Sequence, residues 1–86
     1  MQKHLISYDL CNPGRNYDDL IDAIKSYPAW AHISGSCWAV QTAQSDKQIC
    51  DNLLKHIDAN DKLFVCAFSG CAWYKLPESV SNWLKS

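Results

Sequence analysis

The sequence has little of the positive charge that nucleic-acid-binding proteins use. Its 86 residues contain a single arginine, Arg15, and the seven lysines are spread along the chain without a cluster. The formal net charge is −1. A free-standing nucleic-acid binder usually carries a basic stripe. Any contact with nucleic acid must therefore come from local geometry, from dimerisation or from a basic partner.

Long hydrophobic runs are also missing. The longest uninterrupted apolar run is Leu63–Phe68, far short of the roughly 20 residues that a membrane helix needs. Residues 1–4 lead straight into a strand-like segment, so no signal-peptide pattern is present. These absences predict a soluble, cytoplasmic protein with no membrane partner.

Cysteine is frequent, but it does not form a recognisable metal motif. The five cysteines include no C-x-x-C pair, and the three histidines are scattered. This spacing matches no common zinc module. We therefore expect reduced thiols that act as small buried apolar side chains.

The order of predicted elements points to one small α+β domain spanning residues 1–86. A chain of this length hides roughly 60–65% of its unfolded surface, enough for a single core. Apolar spacing and turn residues predict strands at 4–10, 30–34, 37–42 and 62–68, with one helix between Asn16 and Pro28 and another after a Ser45–Gln48 capping box. The order β-α-β-β-α-β predicts a ferredoxin-like two-layer sandwich.

The residues beyond the fourth strand predict further structure and a partner. Residues 71–74 predict a short fifth strand, and Pro77 followed by apolar residues at helical spacing predicts a short C-terminal helix. The fourth strand is apolar on both of its faces, although two helices can cover only one face of a sheet. A second subunit or the C-terminal residues must cover the other face, and we expect a homodimer because two-fold dimers are the commonest assembly.

Asp9 and Arg15, at the end of the first strand and on the following loop, are candidates for metal and phosphate binding. Asp9 ends the first strand at the rim of the sheet, and Mg²⁺ is often held by only one or two protein carboxylates. In a two-fold dimer each chain would supply one Asp9, while Arg15 on the following loop would clamp a phosphate. In the alternative interpretation, Asp9 caps backbone amides of the turn and Arg15 pairs with Asp18 or Asp19. We also predict that Gly14 supplies a positive φ in this loop.

Several aromatic residues and one histidine have two interpretations each. Trp30, Trp38, Trp73 and Tyr74 are either base-stacking platforms or, more commonly for strand residues, contacts of the core or a dimer. His32 is either a general acid or base or a half-buried neighbour in the hairpin.

The sequence resembles the small CRISPR-associated endoribonuclease subunit of the spacer-acquisition machinery. The resemblance rests on the strand HLISYDL ending in Asp9, the loop arginine Arg15, and the hairpin residues 35–38 (GSCW). That family has a strand ending in Tyr-Asp, a loop with arginine, a helix, and a later strand beginning Ser-x-Phe, where this chain has Trp38 in place of Phe. VapD-like toxins and SinR-like proteins share this arrangement, and the similarity covers residues 4–68.

The resemblance implies a ferredoxin-like homodimer whose C-terminal strand crosses to the partner. It implies that Asp9 is both metal ligand and catalytic residue for Mg²⁺- or Mn²⁺-dependent cleavage of RNA or DNA, and that Arg15 and Ser36 contact the nucleic acid. Some members of the family act only as scaffolds. The alternative function is therefore a non-catalytic homodimeric scaffold or a toxin–antitoxin-type module that binds a protein partner. A small metabolite-binding regulatory domain is a third hypothesis, because the fold alone does not specify function.

Overall fold

The computed structural model of the protein describes residues 1–11 and 17–86, which form an α+β fold. The elements are β1 (Gln2–Asp9), α1 (Asp18–Lys25), β2 (Ala29–Ser34), β3 (Cys37–Thr42), α2 (Asp46–Leu54), β4 (Lys62–Phe68) and α3 (Glu78–Lys85). None of the helices in this described part is long and apolar enough to cross a membrane.

The four strands form one antiparallel sheet in the order β2-β3-β1-β4. Ile6 at the middle of β1 pairs with Trp38 of β3 on one side and with Val65 of β4 on the other. The hairpin of β2 and β3 has a register shift between His32 and Ser34. Since β1 and β3 occupy the centre, β2 and β4 are the edge strands.

The core lies between one face of this sheet, here called the first face, and the helices α1 and α2. Successive strand residues point to opposite faces, so Ile6 and Tyr8 share this face with their cross-strand neighbours. The buried core cluster consists of Ile6, Tyr8, Leu20, Ile24, Tyr27, Trp38, Val40, Ile49 and Leu53. Burying an aliphatic side chain of this size contributes about 1.5–3 kcal/mol, so this layer supplies most of the hydrophobic stabilisation.

Local sequence explains where the two core helices begin and end. In α1, Leu20 and Ile24 are four residues apart and fully buried, and the helix ends three residues before Pro28. The predicted capping box of α2 is confirmed: the Ser45 hydroxyl accepts from the Gln48 amide, and the Gln48 side chain accepts from the Ser45 amide. The predicted N-cap Asn16 lies outside the described residues.

Residues 70–86, here called the C-terminal segment, lie over the opposite face of the sheet, here called the second face. Lys3 and Leu5 of β1 point to this face. The Lys3 Nζ donates hydrogen bonds to the carbonyl oxygens of Trp83 at 3.3 Å and Leu84 at 3.1 Å, which holds α3 against the sheet. The expectation that the C-terminal residues or a partner cover the second face is thus met in part by the chain itself.

The predicted fifth strand is wrong, whereas the predicted C-terminal helix is present as α3. Residues 71–74 form no strand in the described structure, because the segment leaves the sheet edge and crosses the second face instead of pairing. Pro77 is the N-cap of α3. The cover expected for the second face of β4 is incomplete within one chain: β4 is an edge strand, and Phe64 remains 60% exposed.

The expectation that cysteines fill the core is wrong as well. All five are free thiols; Cys11 and Cys71 are exposed, and the other three are only half-buried. The fully buried positions go to larger aliphatic side chains such as Ile6 and Leu53, which bury more apolar area per residue.

Candidate functional site

Asp9 lies where the sequence predicted it, as the last residue of β1 at the rim of the sheet. It is exposed, points to the second face, and stands opposite Lys62 in the register of β1 and β4. A shallow pocket of about 160 Å³ is formed here mainly by Ser7, Asp9, Lys62 and Phe64. The carboxylate is therefore reachable from solvent and lies close to an exposed aromatic ring and a cation.

The Asp9 carboxylate accepts no hydrogen bond from any residue in the described ranges. Its backbone carbonyl accepts a long contact, 3.9 Å, from the Cys11 sulfur. The alternative interpretation held that Asp9 caps the amides of the turn. At Cys11 the amide instead donates to Asp61 Oδ1 at 2.7 Å, and the amides of residues 12–14 lie outside the described residues.

Asp61 organises the loops next to the candidate site, and the sequence analysis missed it. Its carboxylate accepts from the Cys11 amide at 2.7 Å, from the Asp58 amide at 2.8 Å and from the Tyr17 hydroxyl at 2.9 Å. These bonds join the end of β1, the start of α1 and the turn before β4. In the sequence, Ala59-Asn60-Asp61 has the residue types of a turn, which says nothing about such distant partners.

Ser36 is brought close to Asp9, whereas Arg15 cannot be assessed. Ser36 is exposed in the turn between β2 and β3, and its carbonyl accepts from the Tyr8 amide at 3.1 Å. It therefore lies next to the residue that precedes Asp9. Arg15 and Gly14 fall outside the described residues, and with them both interpretations of the arginine and the predicted positive φ of the glycine.

The donor atoms at Asp9 suit a hard cation, but one chain supplies few of them. Within residues 1–11 and 17–86, no group of three or more His, Cys, Asp or Glu side chains is placed to hold a metal. Mg²⁺ prefers oxygen ligands and keeps several waters when only one or two carboxylates bind it. The exposed Asp9 carboxylate, which accepts no hydrogen bond within residues 1–11 and 17–86, fits that role if a second copy or a phosphate completes the shell.

The part of the second face around Asp9 is not covered by the C-terminal segment; we call Ser7, Asp9, Cys37, Lys62 and Phe64 the open patch. Burial, and to a smaller extent the nearby Cys66, raises the pKa of the Cys37 thiol above its ordinary value of 9.0. Cys37 is therefore a neutral thiol at neutral pH and a poor nucleophile. The open patch combines one carboxylate, one ammonium group and one exposed aromatic ring.

The aromatic residues and His32 are separated from this patch. Trp38 is a core residue, 2% exposed, and its Nε1 donates to the Tyr8 hydroxyl at 3.0 Å. His32 stacks on the Trp38 ring with centroids 3.9 Å apart, so it lies on the first face, opposite to Asp9. Trp30 and Tyr74 are exposed. His32 is consequently not positioned as a general base for chemistry at Asp9.

A buried polar pair at the other end of β1 was also missed. His4 is 2% exposed, and its Nδ1 shares a short hydrogen bond with the Asp46 carboxylate in the first turn of α2. The His4 Nε2 atom is buried and has no partner in the described structure. The pair links the start of β1 to α2.

Comparison with known proteins returns no match to a family model, to a curated protein or to a solved structure, so the functional proposal rests on the residues and motifs of the chain itself.

Proposed function

We propose that the protein is a homodimeric, Mg²⁺- or Mn²⁺-dependent endonuclease acting on RNA or DNA, with Asp9 as its metal ligand. The observation that carries the proposal is the exposed Asp9 carboxylate, which accepts no hydrogen bond from the described residues and borders the open patch. The resemblance of residues 4–68 to the CRISPR-associated endoribonuclease and VapD-like proteins supports the same assignment.

We infer a ferredoxin-like fold for this domain. The element order β-α-β-β-α-β and the antiparallel strand order β2-β3-β1-β4 support this inference. In this arrangement each core helix connects two parallel strands that flank another strand. The rim that carries Asp9 is then also the rim that carries the β2–β3 turn with Ser36.

Dimerisation through the open patch would complete the site. Phe64 is 60% exposed on the second face, next to Ser7 and Lys62. Removing its ring from water supplies about 25 cal/mol per Å² before the cost of association. A two-fold axis near this patch would bring two Asp9 carboxylates together, one from each chain.

Each residue of the site then has a defined task. The paired Asp9 carboxylates would hold the cation, which when bound activates a water molecule and neutralises phosphate charge. The Ser36 hydroxyl and the Arg15 guanidinium would donate hydrogen bonds to phosphate oxygens. Lys62, opposite Asp9 in the register of β1 and β4, would offset part of the carboxylate charge in the absence of substrate.

The proposal is tested by cleavage of labelled RNA and duplex DNA with and without Mg²⁺, using Asp9→Asn and Asp22→Asn proteins. Asp22 is an exposed carboxylate on α1, so its variant makes the same change of charge away from the second face. We expect Asp9→Asn to reduce the cleavage rate by about 100-fold or more, as for loss of one electrostatic contact to a transition state. Asp22→Asn should cleave like the wild type, and both variants should remain dimers.

The alternative, a non-catalytic dimeric module that binds a protein partner, is favoured by the net charge of −1 and the scattered lysines. A dimer that cleaves neither substrate in Mg²⁺ or Mn²⁺ would support this alternative. Cleavage by purified Asp9→Asn protein at the wild-type rate would contradict the role of Asp9.

A further inference from the structure

A cavity lies between the second face of the sheet and the C-terminal segment, over the middle and the N-terminal half of β1, away from Asp9. Its volume is about 310 Å³. The sheet contributes Leu5, Ala39, Cys66 and Phe68, and the C-terminal segment contributes Trp73 and Leu76 among others. Ala39 at its floor is fully buried, whereas Gly70 and Cys71 at its margin are exposed. The cavity is therefore roofed by the chain itself and open to solvent at one margin.

The lining determines what this cavity accepts. Its side chains present carbon and sulfur atoms, and the indole Nε1 of Trp73 already donates to the Ser81 hydroxyl at 2.9 Å. A charged or strongly polar molecule would lose its hydration here without gaining hydrogen bonds, which is unfavourable. An apolar molecule loses nothing of this kind and gains contacts with the walls.

The size of the cavity sets the size of the molecule. A cavity of about 150 Å³ lined by apolar side chains stays dry and takes up benzene. At about 310 Å³, this one has room for a two-ring hydrocarbon and reaches the lower end of the range for ligand pockets, roughly 300–1,000 Å³. An unfilled apolar cavity also destabilises a protein in proportion to its volume, so an occupant would stabilise the packing of the C-terminal segment on the sheet.

We propose that this cavity is a binding site for a small, uncharged, apolar molecule of one or two rings. The ligand lies between Ala39 of the sheet and Leu76 of the segment, and it covers Cys66. Binding is independent of the endonuclease chemistry proposed for Asp9, because the cavity and the open patch occupy different parts of the second face.

The test uses naphthalene as the probe and the free thiols as reporters. Cys66 lines the cavity, whereas Cys11 is exposed at the end of β1. Modification by iodoacetamide is followed at each cysteine by mass spectrometry. Near saturation, at about ten times Kd, we expect naphthalene to slow modification of Cys66 by roughly tenfold, since only the free form reacts. The rate at Cys11 should not change. Naphthalene-2-carboxylate, which has the same rings and a charge, should protect neither thiol.

Variants that fill the cavity provide the matched control. Ala39→Leu places extra atoms at the floor, and Ala72→Leu, at an exposed rim position, does so with less risk to folding. We expect both to abolish protection of Cys66, whereas Ala59→Leu in an exposed turn should preserve it. Unchanged modification of Cys66 up to the solubility limit of naphthalene would overturn the proposal. So would Cys66 protection that rises with protein concentration alone, because a second copy would then occupy the cavity.

Discussion

Asp9 and Asp61 are carboxylates at the same end of the sheet, and their surroundings are very different. Asp9 is exposed and accepts no hydrogen bond from the described residues, whereas Asp61 accepts from two backbone amides and the Tyr17 hydroxyl. A carboxylate with several donors holds loops in place, whereas one without donors is available to a ligand. Asp61 therefore holds the loops in place, and Asp9 is the carboxylate to which our proposal assigns the cation.

We predict that Asp61→Ala lowers the free energy of unfolding by about 2–4 kcal/mol, because it removes charge-assisted hydrogen bonds and leaves their donors unpaired. Denaturant unfolding measures the effect. Asp22→Ala, at an exposed position on α1, is the control and should change stability by less than about 0.5 kcal/mol. Equal stabilities of the two variants would contradict the organising role of Asp61.

The raised pKa of Cys37 predicts a pH dependence of stability. The folded state retains the thiol proton more strongly than the unfolded state, whose pKa is near the ordinary value of 9.0. The resulting stabilisation is fully present below this value and is lost as pH rises through the folded-state pKa. We therefore expect the difference in unfolding free energy between wild type and Cys37→Ala to be constant from pH 6 to about pH 8, within the range where the thiol stays protonated.

Above about pH 9 the wild type should lose unfolding free energy relative to Cys37→Ala. Urea unfolding of both proteins across this range is the measurement, and the subtraction cancels the titration of the other thiols. A difference that stays flat to pH 10.5 would show that the Cys37 pKa is the same in the folded and unfolded states.

The positions and hydrogen-bond partners of individual residues could be predicted only in part from the sequence. The position of Asp9 at a strand end follows from local pattern and was predicted. The clamp by Asp61 was not, because its partners Cys11 and Tyr17 are more than 40 residues away in the chain. Only the folded chain reveals such pairings, since no local propensity encodes them.

At the scale of elements, α2 has the best-defined start. Ser45 and Gln48 form reciprocal hydrogen bonds, and the adjacent Asp46 bonds to the buried His4 of β1. The capping box defines where α2 begins, and the adjacent hydrogen bond between Asp46 and His4 fixes this end of the helix on the sheet.

We predict that Ser45→Ala costs about 1 kcal/mol, the usual value for an N-cap serine. Thermal unfolding would show a fall in Tm of roughly 4–8 °C for a domain of this size. Ser79→Ala is the matched control. Ser79 is an exposed residue in the first turn of α3, a helix whose N-cap makes no side-chain hydrogen bond. A similar fall in both variants would argue against the capping box as the cause.

The sequence predicted elements well where pattern and turn residues agreed. Strands 37–42 and 62–68 have the predicted bounds, and the capping box marks the start of α2. The strand predicted at residues 71–74 is wrong because a short apolar run has the same pattern whether it pairs within a sheet or packs over one. An apolar pattern indicates that a segment is buried, but it does not indicate against which surface the segment packs.

At the scale of the whole molecule, the open patch leads to a prediction about assembly. We expect a dimer of about 20 kDa, twice the 9.8 kDa of one chain, because the Phe64 ring remains 60% exposed in one copy. Phe64→Asp should give a monomer in light scattering at low micromolar concentration, since it removes the exposed ring and places another carboxylate beside Asp9, where like charges facing each other across an interface are unfavourable.

Tyr74→Asp is the control for this change. Tyr74 is 82% exposed on the C-terminal segment and lies outside the open patch, so its variant should remain a dimer. A wild-type mass near 10 kDa would contradict the predicted dimer. Dissociation of the Tyr74 variant alone would indicate that the interface lies on the C-terminal segment.

The position of β4 has a consequence for how concentrated protein behaves. In the described structure β1 is its only strand neighbour, so its outer edge presents unpaired backbone amides and carbonyls. The sequence KLFVCAF has one charge, no proline and no glycine, the composition typical of segments that stack into fibrils. Addition of β4 of one copy to the other edge strand, β2, of the next copy would be a head-to-tail contact, which does not close on itself as a two-fold contact does. Lys62, at one end, is the single charged residue in the segment that opposes fibrous aggregation.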